Sequence, residues 1–256
     1  MSTLFHQAPG GQAASLTSRI ISQGKYEAAT MLRNGEQLVL MVVMPLLGLV
    51  ALVATPLLDG MGYSRVAIAA PGILALCALS TAFTGQGIAT GFDRRYGVLR
   101  FLSTTPLGKG GLIAGKVLAV LVALSLQVVL ISTVAAFMGW RPPLAGVLLG
   151  IPLLVLGAAA FTALGLLIAG TVRPEATLAI TNLGWILFAA VGGIVLPAGK
   201  FSSTLEGIVQ WLPSGALGNL MRAALIESRL DLWGLLVLLA WAAMASVAAV
   251  KWFKWN

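Results

Sequence analysis

Six stretches of this chain are each long and apolar enough to cross a lipid bilayer, which leaves few ways for it to fold. They run from Gln37 to Leu58, Val66 to Phe92, Leu112 to Met138, Leu144 to Gly170, Thr177 to Pro197 and Leu232 to Val250. About 20 mostly apolar residues span the hydrocarbon as a helix. Backbone groups in lipid must be bonded within the segment, which a helix does. Composition agrees: 59% of the 256 residues are hydrophobic and 9% are charged, against about 25% charged in soluble domains. The sequence therefore predicts an all-α integral membrane protein with six transmembrane helices.

Charge placement sets the orientation. With both ends of the chain on the cytoplasmic side, eleven cationic residues lie inside: Arg19, Lys25, Arg33, Arg94, Arg95, Arg100, Lys109, Lys116, Arg173, Lys251 and Lys254. Five lie outside: Arg65, Arg141, Lys200, Arg222 and Arg229. Lys and Arg are retained on the cytoplasmic side, so the bias predicts a multi-pass protein of the plasma membrane with both ends in the cytoplasm. It also accounts for the net charge of +8 without nucleic acid. Trp140, Trp233 and Trp252 fall near span ends, where interface aromatics belong.

Three pieces do not span. Residues 1–36 make a cytoplasmic tail followed by an amphipathic helix. In it Leu16, Ile20, Ile21, Ala28, Met31 and Leu32 recur at helical spacing among Arg19, Lys25 and Arg33. Such a helix lies at the interface or packs on the protein's own spans. Residues 37–256 form the transmembrane domain, which holds a basic cytoplasmic turn at 93–109 and an external stretch at 198–231. The external stretch is moderately apolar, is bracketed by Pro197 and Pro213, and is too short to span. It is expected to dip partway into the membrane with its backbone buried in protein. The start of the chain has no apolar signal-peptide core.

Catalytic raw material is scarce. The single cysteine, Cys77, sits in an apolar run, and the single histidine, His6, in the polar tail. A disulfide framework, a zinc site and His-dependent acid–base chemistry are not expected. Gly110 to Lys116 has the spacing of a phosphate-binding loop. But Val117 stands where a Ser or Thr must hold magnesium, and a membrane span follows instead of a helix over a sheet. Nucleotide binding here is not expected, and Gly111 and Gly115 are taken as small residues for close helix approach.

The turn carries the most informative pattern: Asp93-Arg94-Arg95, Gly97, Leu99, Leu102, Thr105-Pro106 and Gly115-Lys116. Central charges in lipid cost about 2.5–3.5 kcal/mol each, so the chain must leave the membrane near Phe92. Val98, Leu99 and Leu102 then give a short helix one apolar face, and Pro106 stops it. This pattern resembles the ABC-2 type permeases of ABC transporters. The segment Leu212–Leu225 is similar to that family's Pro-then-Arg stretch before the last span. Asp93 stands where the family more often has Glu.

The resemblance implies an ABC-2 exporter-like fold and a permease subunit that moves an amphipathic or lipid-like substrate, such as a drug, out of the cell. It implies a separate ATP-binding subunit that carries the ATP and magnesium, no cofactor on this chain, and a second permease chain in a homo- or heterodimer. Asp93, Arg94, Arg95, Gly97, Val98, Leu99, Arg100, Leu102 and Pro106 would form the coupling helix that docks on the ATPase. Val98, Leu99 and Leu102 would anchor it, and the arginines would pair with acids on the partner or with anionic lipid.

Polar residues inside spans are costly and often functional. Thr81, Thr84, Gln86, Gln127 and Asn182 are accordingly candidates for a substrate path, with helix–helix hydrogen bonding as the competing role of each. Two other readings stay open: an ATP-independent secondary transporter or channel, and a non-transporting membrane anchor.

Overall fold

The structure, a computed structural model, describes residues 14–253; His6, Lys254 and the tail up to residue 13 lie outside the described residues. Among those described, all regular structure is helical. Helix α1 (Leu16–Arg33) starts where the Ser15 side chain accepts a hydrogen bond from the Ser18 amide, and ends at Asn34 in extended conformation. The spans follow as α2 (Gly35–Ala54), α3 (Arg65–Arg95), α5 (Gly108–Phe137), α6 (Leu144–Thr171), α7 (Pro174–Val191) and α10 (Leu232–Trp252). Five of these are apolar over a full membrane crossing, and α2 carries a shorter apolar stretch, Met41–Ala54. Short α4 (Val98–Ser103) lies in the turn between α3 and α5, and α8 (Ser203–Val209) and α9 (Pro213–Glu227) precede α10.

Helix α3 is the hub, more deeply buried than the other spans. Small residues allow this: Ala69, Ala70, Ala75, Ala78 and Ala82 are fully enclosed, and neighbours approach closely where side chains are short. A seven-residue π stretch, Leu79–Gly85, sits in its middle.

One expectation about the spans needs correction. The fifth span was expected to reach Pro197, but α7 stops at Val191 and the backbone unwinds at Gly192, with Gly193 at φ +75°. The residues beyond remain apolar, so composition alone gives no warning of the break. The carbonyls freed there are taken up by a side chain: the Arg222 guanidinium donates to Gly193 O at 3.0 Å, Ile194 O at 2.6 Å and Val195 O at 3.0 Å. The second span was expected to leave the membrane near Phe92, and its helix runs on beyond that point. It remains helical to Arg95, so Asp93, Arg94 and Arg95 occupy the last turn of a long helix.

Arg222 is on α9, which penetrates the bundle. A Cβ at Gly146 would meet Ala224 O at 2.3 Å, and one at Gly157 would meet Leu217 at 2.6 Å. Gly157 lies thirteen residues into α6, about 20 Å from its start at 1.5 Å per residue. Leu217 therefore packs near mid-depth, and α9 climbs from there back to the loop end of the bundle.

Candidate functional site

The opposite end of the bundle gathers α1, the 96–107 turn, the α6–α7 corner and Phe253. Its centre is a lysine. Lys116, on the third turn of α5, is fully buried; its Nζ lies 2.8 Å from Glu27 Oε1 on α1 and 3.1 Å from Asp93 Oδ2 on α3. Gln23 Nε2 donates to Glu27 Oε1 at 3.0 Å and holds it in place. A buried charge is tolerated only when paired, and here one ammonium serves two carboxylates from two other helices. Close packing reinforces the joint: a Cβ at Gly115 would meet Gln23 at 2.8 Å, and one at Gly24 would meet Leu118 at 2.6 Å. The amphipathic helix thus packs on the protein's own spans, with Ala28 and Met31 buried and Leu16, Lys25 and Tyr26 exposed.

The spacing Gly110 to Lys116 lies within the first turns of α5. Its amides enter a helix rather than a phosphate cradle, and its lysine is consumed by the ion triad. Glu27 went unnoticed in the sequence. The available signal was an acid on the same helix face as Gly24, Ala28 and Met31, where an apolar residue belongs.

The turn itself is tightly specified. Gly97, at φ +77°, reverses the chain after α3 in a conformation that suits glycine. The hydroxyls of Ser103, Thr104 and Thr105 donate to the carbonyls of Arg100, Phe101 and Leu102, closing the end of α4. Pro106 follows, and its carbonyl accepts from Arg19 Nη1 on α1.

Two expected roles change. Leu99 was expected to face outward as an anchor, but it is fully buried with Leu107, Leu112 and Phe253, and half-buried Leu102 packs against the same cluster. The outward face instead carries Tyr96 and Phe101, 73% and 70% exposed, beside exposed Val98, Arg95 and Arg100. Arg94 was expected to pair with acids on a partner or with anionic lipid. Its Nη1 donates to Val172 O at 2.7 Å and Ala169 O at 3.3 Å, placing a cation at the C-terminal end of α6, where the helix dipole favours it.

The polar span residues do not converge on one path. Thr81 donates to Gln127 Oε1 at 2.8 Å, and Gln127 Nε2 donates to Met41 O at 2.8 Å, so this pair bonds α2, α3 and α5 together. Gln86 Nε2 contacts Met31 Sδ at 3.4 Å, while Gln86 Oε1 and the Thr84 hydroxyl are buried without a partner among the described residues. Asn182 stands apart, exposed on α7. Near the turn, a cavity of about 220 Å³ opens between α3 and the start of α7, lined by Ile88, Phe92 and Leu178 with Arg95 and Glu175.

These pieces are a packed amphipathic helix, a short helix hung between two spans, and a Pro-led helix returning into the bundle. A family profile described as ABC-2 type transporter matches residues 20–226, from α1 to the end of α9. The chain belongs to the ABC-2 type transporter family. No curated protein matched it. As an ABC-2 type membrane component it is a multi-pass transport protein of a generally non-catalytic kind.

Proposed function

We propose that this ABC-2 chain is the permease subunit of an exporter driven by a separate ATP-binding subunit, which docks on the 96–107 turn. The observation that carries this is the exposed aromatic and basic face of Tyr96, Phe101, Arg95 and Arg100 on a turn tied to two spans. Aromatic and Arg side chains dominate protein interfaces. The concentration of cations at this end supports a cytoplasmic turn and cytoplasmic chain ends. ATP and magnesium would sit on the partner.

A second permease chain fits α7, whose Leu183, Ile186 and Leu187 are more than half uncovered beside Asn182. The cavity below it pairs an apolar wall with Arg95 and Glu175, which suits an amphipathic substrate. Co-expression with an ATP-binding subunit tests the reading: the pair should copurify from detergent, and Phe101→Asp should release the subunit while leaving the membrane level of the permease unchanged. Retention of the subunit by Phe101→Asp would sink this docking face.

A further inference from the structure

A second groove opens at the loop end, with a volume of about 180 Å³, between α5 and α6. Its floor is Leu74 of α3 and Met221 of α9, and its walls are Val128, Ile151 and Leu154. The groove has a polarity gradient. At its mouth Trp140 and Pro142 flank Arg141 in sequence. Arg141 Nη1 is pinned on Ala136 O at 2.7 Å and Trp140 O at 2.9 Å, whereas Nε and Nη2 have no partner among the described residues. One and a half turns down α5 from Phe137, Ser132 lines the groove. Its hydroxyl has no partner among the described residues, unlike Ser125 and Thr133, which each donate to the carbonyl four residues back. Below Ser132 the lining is apolar. Leu154 lies ten residues into α6, about 15 Å from its start, so the groove is about as deep as one leaflet of a 30 Å hydrocarbon core.

A cation at the interface, a free hydroxyl beneath it and an apolar slot one leaflet deep match the order of groups along a phosphoglyceride: phosphate, ester carbonyl, acyl chain. We infer that this groove is a binding site for one phosphoglyceride of the leaflet at the loop end, with its phosphate on Arg141, an ester carbonyl on Ser132 and an acyl chain along Val128, Val147 and Ile151.

The test uses the chain in proteoliposomes with phosphatidylglycerol bearing a diazirine in one acyl chain, with adducts mapped by mass spectrometry. Adducts should concentrate between Val147 and Leu154 and around Val128. Val147→Trp, which fills the groove from a half-buried wall position, should lower labelling there about tenfold. Arg141→Gln, which removes one exposed charge, should lower it about threefold. Ser132→Leu offers a second way to block the slot and should also lower labelling. Labelling spread evenly over the lipid-facing helices, or unchanged in both blocking variants, overturns the site. Equal labelling by a diazirine alkane of the same length overturns the phosphate assignment. Neither result bears on ATPase docking, which concerns the other end of the bundle.

Discussion

The two ends of this bundle face the same difficulty, irregular backbone and fixed charge beside lipid, and meet it differently. At the turn end the break in the chain is exposed and the charge is buried. Lys116 is shared by Glu27 and Asp93, while Gly97 and the turn around it stay outside. At the loop end the break itself is buried, and a guanidinium without a carboxylate partner among the described residues fills it by donating to three carbonyls. An ion triad joins separate helices and can release one member while keeping another. A guanidinium wrapped by carbonyls of one segment holds a single shape. The comparison teaches that the turn end is built as a joint and the loop end as a plug.

The largest expected effect is at the plug. Arg222→Leu strands two buried carbonyls and a partly buried third, each buried one costing about 1–3 kcal/mol, and should abolish monodisperse protein on size exclusion. Arg222→Lys should rescue it only partly, since an ammonium lacks the planar fork. Full recovery with Lys would mean that charge alone matters there.

Next comes the joint. Lys116→Met leaves two acids without their cation and should cost about 3–5 kcal/mol, read as a lowered melting temperature. Adding Glu27→Gln and Asp93→Asn should return most of that loss, because a neutral replacement of a buried ionic group is often no less stable. If the triple variant is no better than Lys116→Met, the cluster is not acting as an ion triad.

The outward face of α4 follows. Phe101→Asp should weaken ATPase docking by about 1.5–3 kcal/mol without lowering the melting temperature, whereas Leu99→Asp should lower the melting temperature because Leu99 is enclosed. Equal behaviour of the two would erase the distinction between the inner and outer faces of the turn.

The smallest effect is a surface clamp at the loop end. Arg65 makes paired contacts of 2.6 and 2.7 Å with Asp59, and Lys200 donates to Asp59 O at 2.7 Å. The Arg65 hydrogen bond holds the Asp59 carboxyl below its ordinary 3.8. A lowered acid stabilises the fold above its unfolded value, and that contribution is lost as pH falls through the folded value. Hydrogen exchange around residues 56–64 should therefore quicken only below about pH 4, and Asp59→Asn should remove the pH dependence.

The spans were legible because twenty apolar residues have few alternatives, and the turn because Asp93-Arg94-Arg95, Gly97 and Pro106 are stopping signals of distinct kinds. The facing of the turn was not legible. In a six-residue helix Val98, Leu99, Phe101 and Leu102 are all apolar, and only the position of Leu107, Leu112 and Phe253 decides which turns inward. Lys116 looked like a marker of re-entry because its partners lie far away in sequence, on α1 and at the end of α3. The end of α7 was missed because Ile194, Val195 and Leu196 keep the apolar signal going after the helical hydrogen bonds have been handed to Arg222.

The seat of Leu99 has a consequence for how the protein is made. Phe253 closes it, lying against Leu99 and within 2.4 Å of where a Cβ at Gly170 would stand. On the ribosome Leu99 emerges long before Phe253, so the socket around Leu99 lacks this wall until α10 has been made. Seating Phe253 thereby ties the facing of the turn to the completion of α10.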